Sequence, residues 1–136
     1  MSELVTPETI NAAVAESFPG TSNNCIELGD DWVLARVVPG EGAIRPGGYI
    51  SGPTQFGLAD AALWYATFVA IGRIELMALT SELSIRYLRP AIGDELWARA
   101  ELESVGSKRI VGSVRLWTTD PDRPTSVAQG TYQLPS

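Results

Sequence analysis

Asp60 is the one charged side chain between Arg45 and Arg73, in an otherwise apolar run. An ionised carboxylate buried in such surroundings is costly unless it is paired or hydrogen-bonded. A carboxylate so placed is a candidate general base or nucleophile. The alternatives are a carboxylate satisfied by nearby hydroxyls such as Thr54 or Thr67, or one that faces water. The 136-residue chain has no histidine and one cysteine, Cys25. A Ser-His-Asp triad, a Cys-His pair, a His-ligated metal, an intrachain disulfide and a cysteine zinc cluster are therefore excluded. Acid–base chemistry falls to carboxylates, hydroxyls and backbone dipoles. Cys25 reads as an inert buried residue.

Residues 45–53, Arg-Pro-Gly-Gly-Tyr-Ile-Ser-Gly-Pro, hold three Gly and two Pro. That density predicts an irregular loop, whose backbone can approach a ligand closely. The loop runs into residues 54–71, which are apolar on nearly every face and predict a helix buried all round, stopped by Gly72. Trp64, Tyr65 and Phe68 on it read as core or interface. Tyr49 in the loop either lines a pocket or caps the core.

The remaining elements must hold this helix. Thr6-Pro7-Glu8 is a helix start, with Thr6 as cap, Pro7 in the first turn and Glu8 at the positive end of the dipole. Pro19-Gly20 ends that helix. Residues 25–28 and 32–38 predict a hairpin around Gly29-Asp30-Asp31. Four runs then alternate with period two, near residues 83–88, 96–103, 110–117 and 127–134. They read as an antiparallel meander with one apolar face. The expectation is a single α+β domain over residues 1–136, one buried helix with a long antiparallel sheet curled around it.

The charge balance excludes several function classes. Ten basic residues stand against 16 acidic ones, for a net charge of −6. The basic residues form no run longer than Lys108-Arg109, so nucleic acid is not an expected partner. Residues 61–72, the most apolar stretch, are shorter than the roughly 20 residues a bilayer span requires. The Met-Ser-Glu-Leu start shows no secretory pattern, and the expected location is cytoplasmic. Gly-rich phosphate loops are absent, and neither nucleotide hydrolysis nor hydride transfer is indicated.

Residues 45–60, ending Phe-Gly-Leu-Ala-Asp, together with Ser84-Ile85-Arg86-Tyr87-Leu88-Arg89-Pro90-Ala91 and Gly93-Asp94, resemble hotdog-fold acyl-CoA thioesterases of the PaaI-like, phenylacetate-degradation type. The resemblance extends from about Trp32 to Tyr132. It implies a hotdog fold, thioester hydrolysis, and no cofactor beyond the coenzyme A of the substrate. Asp60 matches the family's catalytic carboxylate, which acts as general base on water or as nucleophile. Gly52 matches the glycine whose N–H polarises the thioester carbonyl, a role suited to the free amides and dipole of a helix start. Thr80 falls near the family's hydroxyl residue. Ser51 stands where the family usually has His, Pro53 replaces a Gly, and Arg45 stands where Asn or Gln is usual. Arg45 then either pairs with Asp60 or binds an anionic substrate group. Arg89, Lys108 and Arg109 are candidates for the coenzyme A phosphates. The resemblance further implies a homodimer or homotetramer, with the Ser51-Gly52 loop and the Asp60 helix supplied by different subunits. The competing function is an acyl-ligand-binding protein without turnover. A hotdog dehydratase is disfavoured because those members normally use a His.

Overall fold

The computed structural model describes residues 4–136. The first three residues of the Met-Ser-Glu-Leu start lie outside them. Helix α1 (Pro7–Ser17) begins as its residues dictate. Thr6 accepts from the Thr9 amide at 3.1 Å, and Thr9 Oγ1 accepts from the Thr6 amide at 2.9 Å. Strands β1 (Asn23–Leu28) and β2 (Trp32–Val37) form the expected hairpin. Asn11 of α1 both donates to and accepts from the Cys25 backbone, each at 2.8 Å. It thereby satisfies a stretch of β1 that would otherwise be an open edge.

The segment at residues 45–53 is more ordered than expected. A 3-10 turn (Glu41–Ala43) leads into two short paired strands, β3 (Ile44–Arg45) and β4 (Tyr49–Ile50). Gly47 and Gly48 make the bend between them with φ of 95° and 83°, a region in which side chains are strained. Helix α2 (Gly52–Ile71) starts two residues before the predicted position, because Pro53 fits its first turn. Gly72 caps it with φ 73°.

Strands β5 (Leu79–Tyr87), β6 (Leu96–Val105), β7 (Arg109–Trp117) and β8 (Ser126–Gln133) follow, all antiparallel to their neighbours. The sheet order is β1-β2-β6-β7-β8-β5. The four-strand meander is therefore corrected. Only β6-β7-β8 is one, while β5 lies at the far edge beside β8 and β2 pairs with β6. Alternation identifies a strand but carries no information about its neighbour.

The sheet wraps α2, which buries Leu58, Leu63, Phe68 and the alanines between them. The helix is not buried all round, as its apolar sequence implied. Gly57, Asp60, Ala61 and Trp64, at i, i+3, i+4 and i+7, form a face that the sheet leaves open. This α+β arrangement, an antiparallel sheet around a central helix, is the hotdog fold. Among the described residues, no helix is long and apolar enough to cross a membrane.

Candidate active site

Asp60 sits on the open face of α2, and two hydroxyls hold it. Thr80 Oγ1 donates to Asp60 Oδ1 at 2.7 Å, and the Tyr132 hydroxyl donates to the same oxygen at 2.7 Å. The Tyr132 oxygen is also 3.2 Å from the Asp60 carbonyl. Burial, and then the charge of Asp60, push the Tyr132 phenol well above its ordinary range, so it stays protonated and remains a donor. Neither hydroxyl offered as a neighbour from sequence satisfies Asp60. Thr67 donates to the Leu63 carbonyl at 2.9 Å, and Thr54 is engaged at the helix start. Arg45 makes no ion pair with Asp60 within the chain; the ion pairs among the described residues are Arg36–Glu95 and Arg73–Glu75.

The start of α2 presents a single free amide among the described residues. Ser51 Oγ accepts from the Thr54 amide at 3.2 Å and lies 2.7 Å from Thr54 Oγ1, so the Ser51 side chain caps the helix. The Gln55 amide bonds the Ser51 carbonyl at 3.2 Å, and Pro53 has no N–H. The Gly52 N–H has no acceptor among the described residues. The Tyr87 hydroxyl donates to the Gly52 carbonyl at 2.8 Å, and a Cβ at Gly52 would come within 3.1 Å of that hydroxyl. Buried Gln55 accepts from Thr125 at 3.0 Å and from Ser126 at 2.8 Å, which ties this helix turn to the start of β8.

The site residues fall into two groups. Arg45, Tyr49, Ser51 and Gly52 line one depression, and Arg89 joins Tyr49 and Gly52 in the next. Arg89 is committed to the Pro124 carbonyl at 2.6 Å. Asp60, Thr80 and Tyr132 form the second group. Lys108 and Arg109 lie toward that end, since Arg109 stands opposite Gln133, which stands opposite Leu79. Strand β5 separates the two ends by about 26 Å at ~3.3 Å per residue, so Arg89 and Lys108-Arg109 cannot share one phosphate within a chain. From Asp60 an apolar cleft of about 420 Å³ runs past Ala61, Trp64 and Leu76 to Phe18, which caps the end of α1. Phe18 meets the Trp64 ring edge-on at 5.7 Å and is 53% exposed. Cys25 is buried, and burial together with Glu8 pushes its thiol up to about 12, so it is no nucleophile.

The thioesterase superfamily model matches residues 47–125, which take in most of the loop, the whole of α2 and strands β5 to β7. The chain belongs to the thioesterase superfamily. Among solved structures, a provisionally assigned thioesterase from Silicibacter sp. is 29% identical, with a TM-score of 0.85 over 99% of this chain and 96% of the other. The PaaI protein of the Escherichia coli phenylacetic acid degradation operon is 21% identical, with a TM-score of 0.74 over 95% and 88%. A Haemophilus influenzae thioesterase is 18% identical, with a TM-score of 0.80 over 97% and 92%; at such identities the likeness is one of fold. No curated protein matches the chain.

For a member of the thioesterase superfamily, thioester hydrolysis is the chemistry to seek at this helix. Three further residues around it carry no signal of their own in the sequence. Tyr132 looks like any inward strand residue, Gln55 like a polar residue in a helix start, and Tyr87 like the next term of an alternation. The signal that finds Tyr132 is register: it stands directly opposite Thr80.

Proposed function

We propose that the chain is an acyl-CoA thioesterase in which Asp60 activates water or attacks the thioester directly. The observation that carries this reading is Asp60 itself, a carboxylate held by two hydroxyls at the head of an apolar cleft. The Gly52 N–H supplies the oxyanion contact to the thioester carbonyl. Lys108, Arg109 or Arg89 meets the coenzyme A phosphates. The acyl group enters the cleft between Asp60 and Phe18. A thiol-release assay over a panel of acyl-CoAs tests the reading, and absence of turnover on every member rejects it.

A second reading is favoured by one observation. Ser51, at the family's usual His position, has its oxygen engaged in capping, and the helix start offers one free amide among the described residues. A protein that binds acyl-CoA without turnover fits that economy, and the same assay separates the two.

The proposed site requires two copies of the chain. Gly52 and Asp60 are eight residues apart on α2, about 12 Å of helix rise, too far to act on one carbonyl. Strand β5 is an uncovered sheet edge that exposes Leu79, Tyr87 and, just beyond it, Leu88. Pairing at this edge brings one copy's Gly52 toward the other's Asp60. Light scattering at micromolar concentration is expected to show a dimer or tetramer, and a strictly monomeric species counts against the shared site.

Phe18 closes the far end of the cleft. Phe18→Ala is expected to shift preference toward longer acyl groups, by about fourfold in kcat/KM for each methylene newly buried, from ~0.8 kcal/mol apiece. An unchanged chain-length profile places the acyl group elsewhere.

A further inference from the structure

We propose that Tyr132 is a positioning residue for hydrolysis: with Thr80 it fixes one oxygen of Asp60 and leaves the other to face the reacting group. The inference rests on the reading of Asp60 as the hydrolytic carboxylate. Thr80 and Tyr132 are cross-strand partners on β5 and β8, so their side chains rise from the same face of the sheet. On β8 that face is the buried one, shared with Ala128 and Gly130. On β5 the inward residues are Leu83 and Ile85, and strict alternation from them would turn Ser81 inward and Thr80 out. A register shift between Thr80 and Glu82 breaks the alternation and brings Thr80 opposite Tyr132. A bulge re-aims a side chain at the cost of locally broken pairing. This one delivers a second hydroxyl to the carboxylate that Tyr132 already holds.

The consequence for Asp60 is directional. Oδ1 receives both donors at 2.7 Å. Two charge-assisted bonds to one oxygen engage its lone pairs and lock the carboxylate plane. Oδ2 receives no hydrogen bond from the described residues, and it is the oxygen left for water or thioester carbon. Thr80 lies on an exposed stretch of β5, whereas Tyr132 is only 4% exposed, so Tyr132 is the rigid half of the clamp. Its ring is held by burial, and its hydroxyl reaches α2 from a strand beneath it. Support of this kind holds a catalytic group in its productive orientation.

Tyr132→Phe removes the hydroxyl and keeps the ring. We expect kcat on the best acyl-CoA to fall about tenfold, with KM within about twofold and the variant still folded, its Tm lowered by only a few degrees. In protein labelled with ¹³C at aspartate carboxyls, the Asp60 resonance, identified by its loss in Asp60→Asn, is expected to move in Tyr132→Phe and to stay in place in Ser113→Ala on the outer sheet face. A kcat within twofold of the parent, a rise confined to KM, or an unmoved Asp60 resonance overturns the proposal. A variant that unfolds also overturns it, since the hydroxyl then serves the fold. If the parent itself releases no thiol, the thioesterase reading fails separately, and the resonance alone decides whether Tyr132 holds Asp60.

Discussion

Asp60→Asn is expected to lower kcat on the best acyl-CoA by about 10²–10⁴-fold, roughly 3–5 kcal/mol of transition-state stabilisation. The amide keeps the size and shape of the carboxylate. Its oxygen still accepts from Thr80 and Tyr132, which hold Asp60 Oδ1 at 2.7 Å each. What it loses is the second anionic oxygen, the one proposed to take a proton from water or bond the thioester carbon. The variant is expected to fold, to assemble and to bind coenzyme A as the parent does, because removing a partly buried charge need not weaken a domain. The loss should exceed that of Tyr132→Phe, since the first change deletes the proposed reacting group and the second only releases it. Steady-state thiol release, with coenzyme A affinity measured beside it, checks both. Near-parental turnover in Asp60→Asn rejects the mechanism and moves the ligand-binding reading to first place.

Gly112→Ala is expected to destabilise the fold by about 1–3 kcal/mol through overpacking, lowering Tm by roughly 4 °C per kcal/mol. Gly112 and Gly130 are cross-strand partners on β7 and β8 beneath Leu63 of α2. A Cβ on Gly112 would lie 2.7 Å from Leu63 Cδ1 and 2.8 Å from the Glu101 carbonyl oxygen. A Cβ on Gly130 would meet the Glu82 oxygen at 2.7 Å and Leu63 Cδ2 at 3.0 Å. Backbone oxygens cannot retreat without breaking the ladder, so the helix or the sheet must shift. That shift would move α2, and Asp60 with it. Gly42→Ala is the control, because nothing lies within 4 Å of the added carbon. Thermal melts should separate the two variants, and equal Tm values would show that the sheet yields at Gly112 without strain.

Much of the architecture is legible from local patterns, and the physical reason is that those patterns act over a few residues. The Thr6 cap, the Gly72 stop and the three strands β6, β7 and β8 each follow from side chains within one segment. The same holds for Asp60, which stands out because a charge in an apolar run needs a reason. The absence of histidine limits the chemistry before any coordinate is known.

Pairing was not legible. The runs at β5 through β8 alternate equally well, and nothing within a run states that β5 crosses to β8 while β2 takes the place beside β6. The open face of α2 was hidden for a related reason. Apolar residues on every side say that each side is covered by something, but not whether this chain or a second copy covers it.

Asp60, with its surroundings of loop and helix, was determined by sequence. Its clamp was decided by tertiary structure alone. Tyr132 reaches Asp60 across 72 residues of chain and Thr80 across 20. Their meeting depends on a strand register and on a one-residue bulge that reverses which side of β5 faces inward. Side-chain alternation is a property of a segment, whereas register and bulge are properties of a pair of segments. Only the packed sheet, by burying one face, selects the pairing that places both hydroxyls on one carboxylate oxygen.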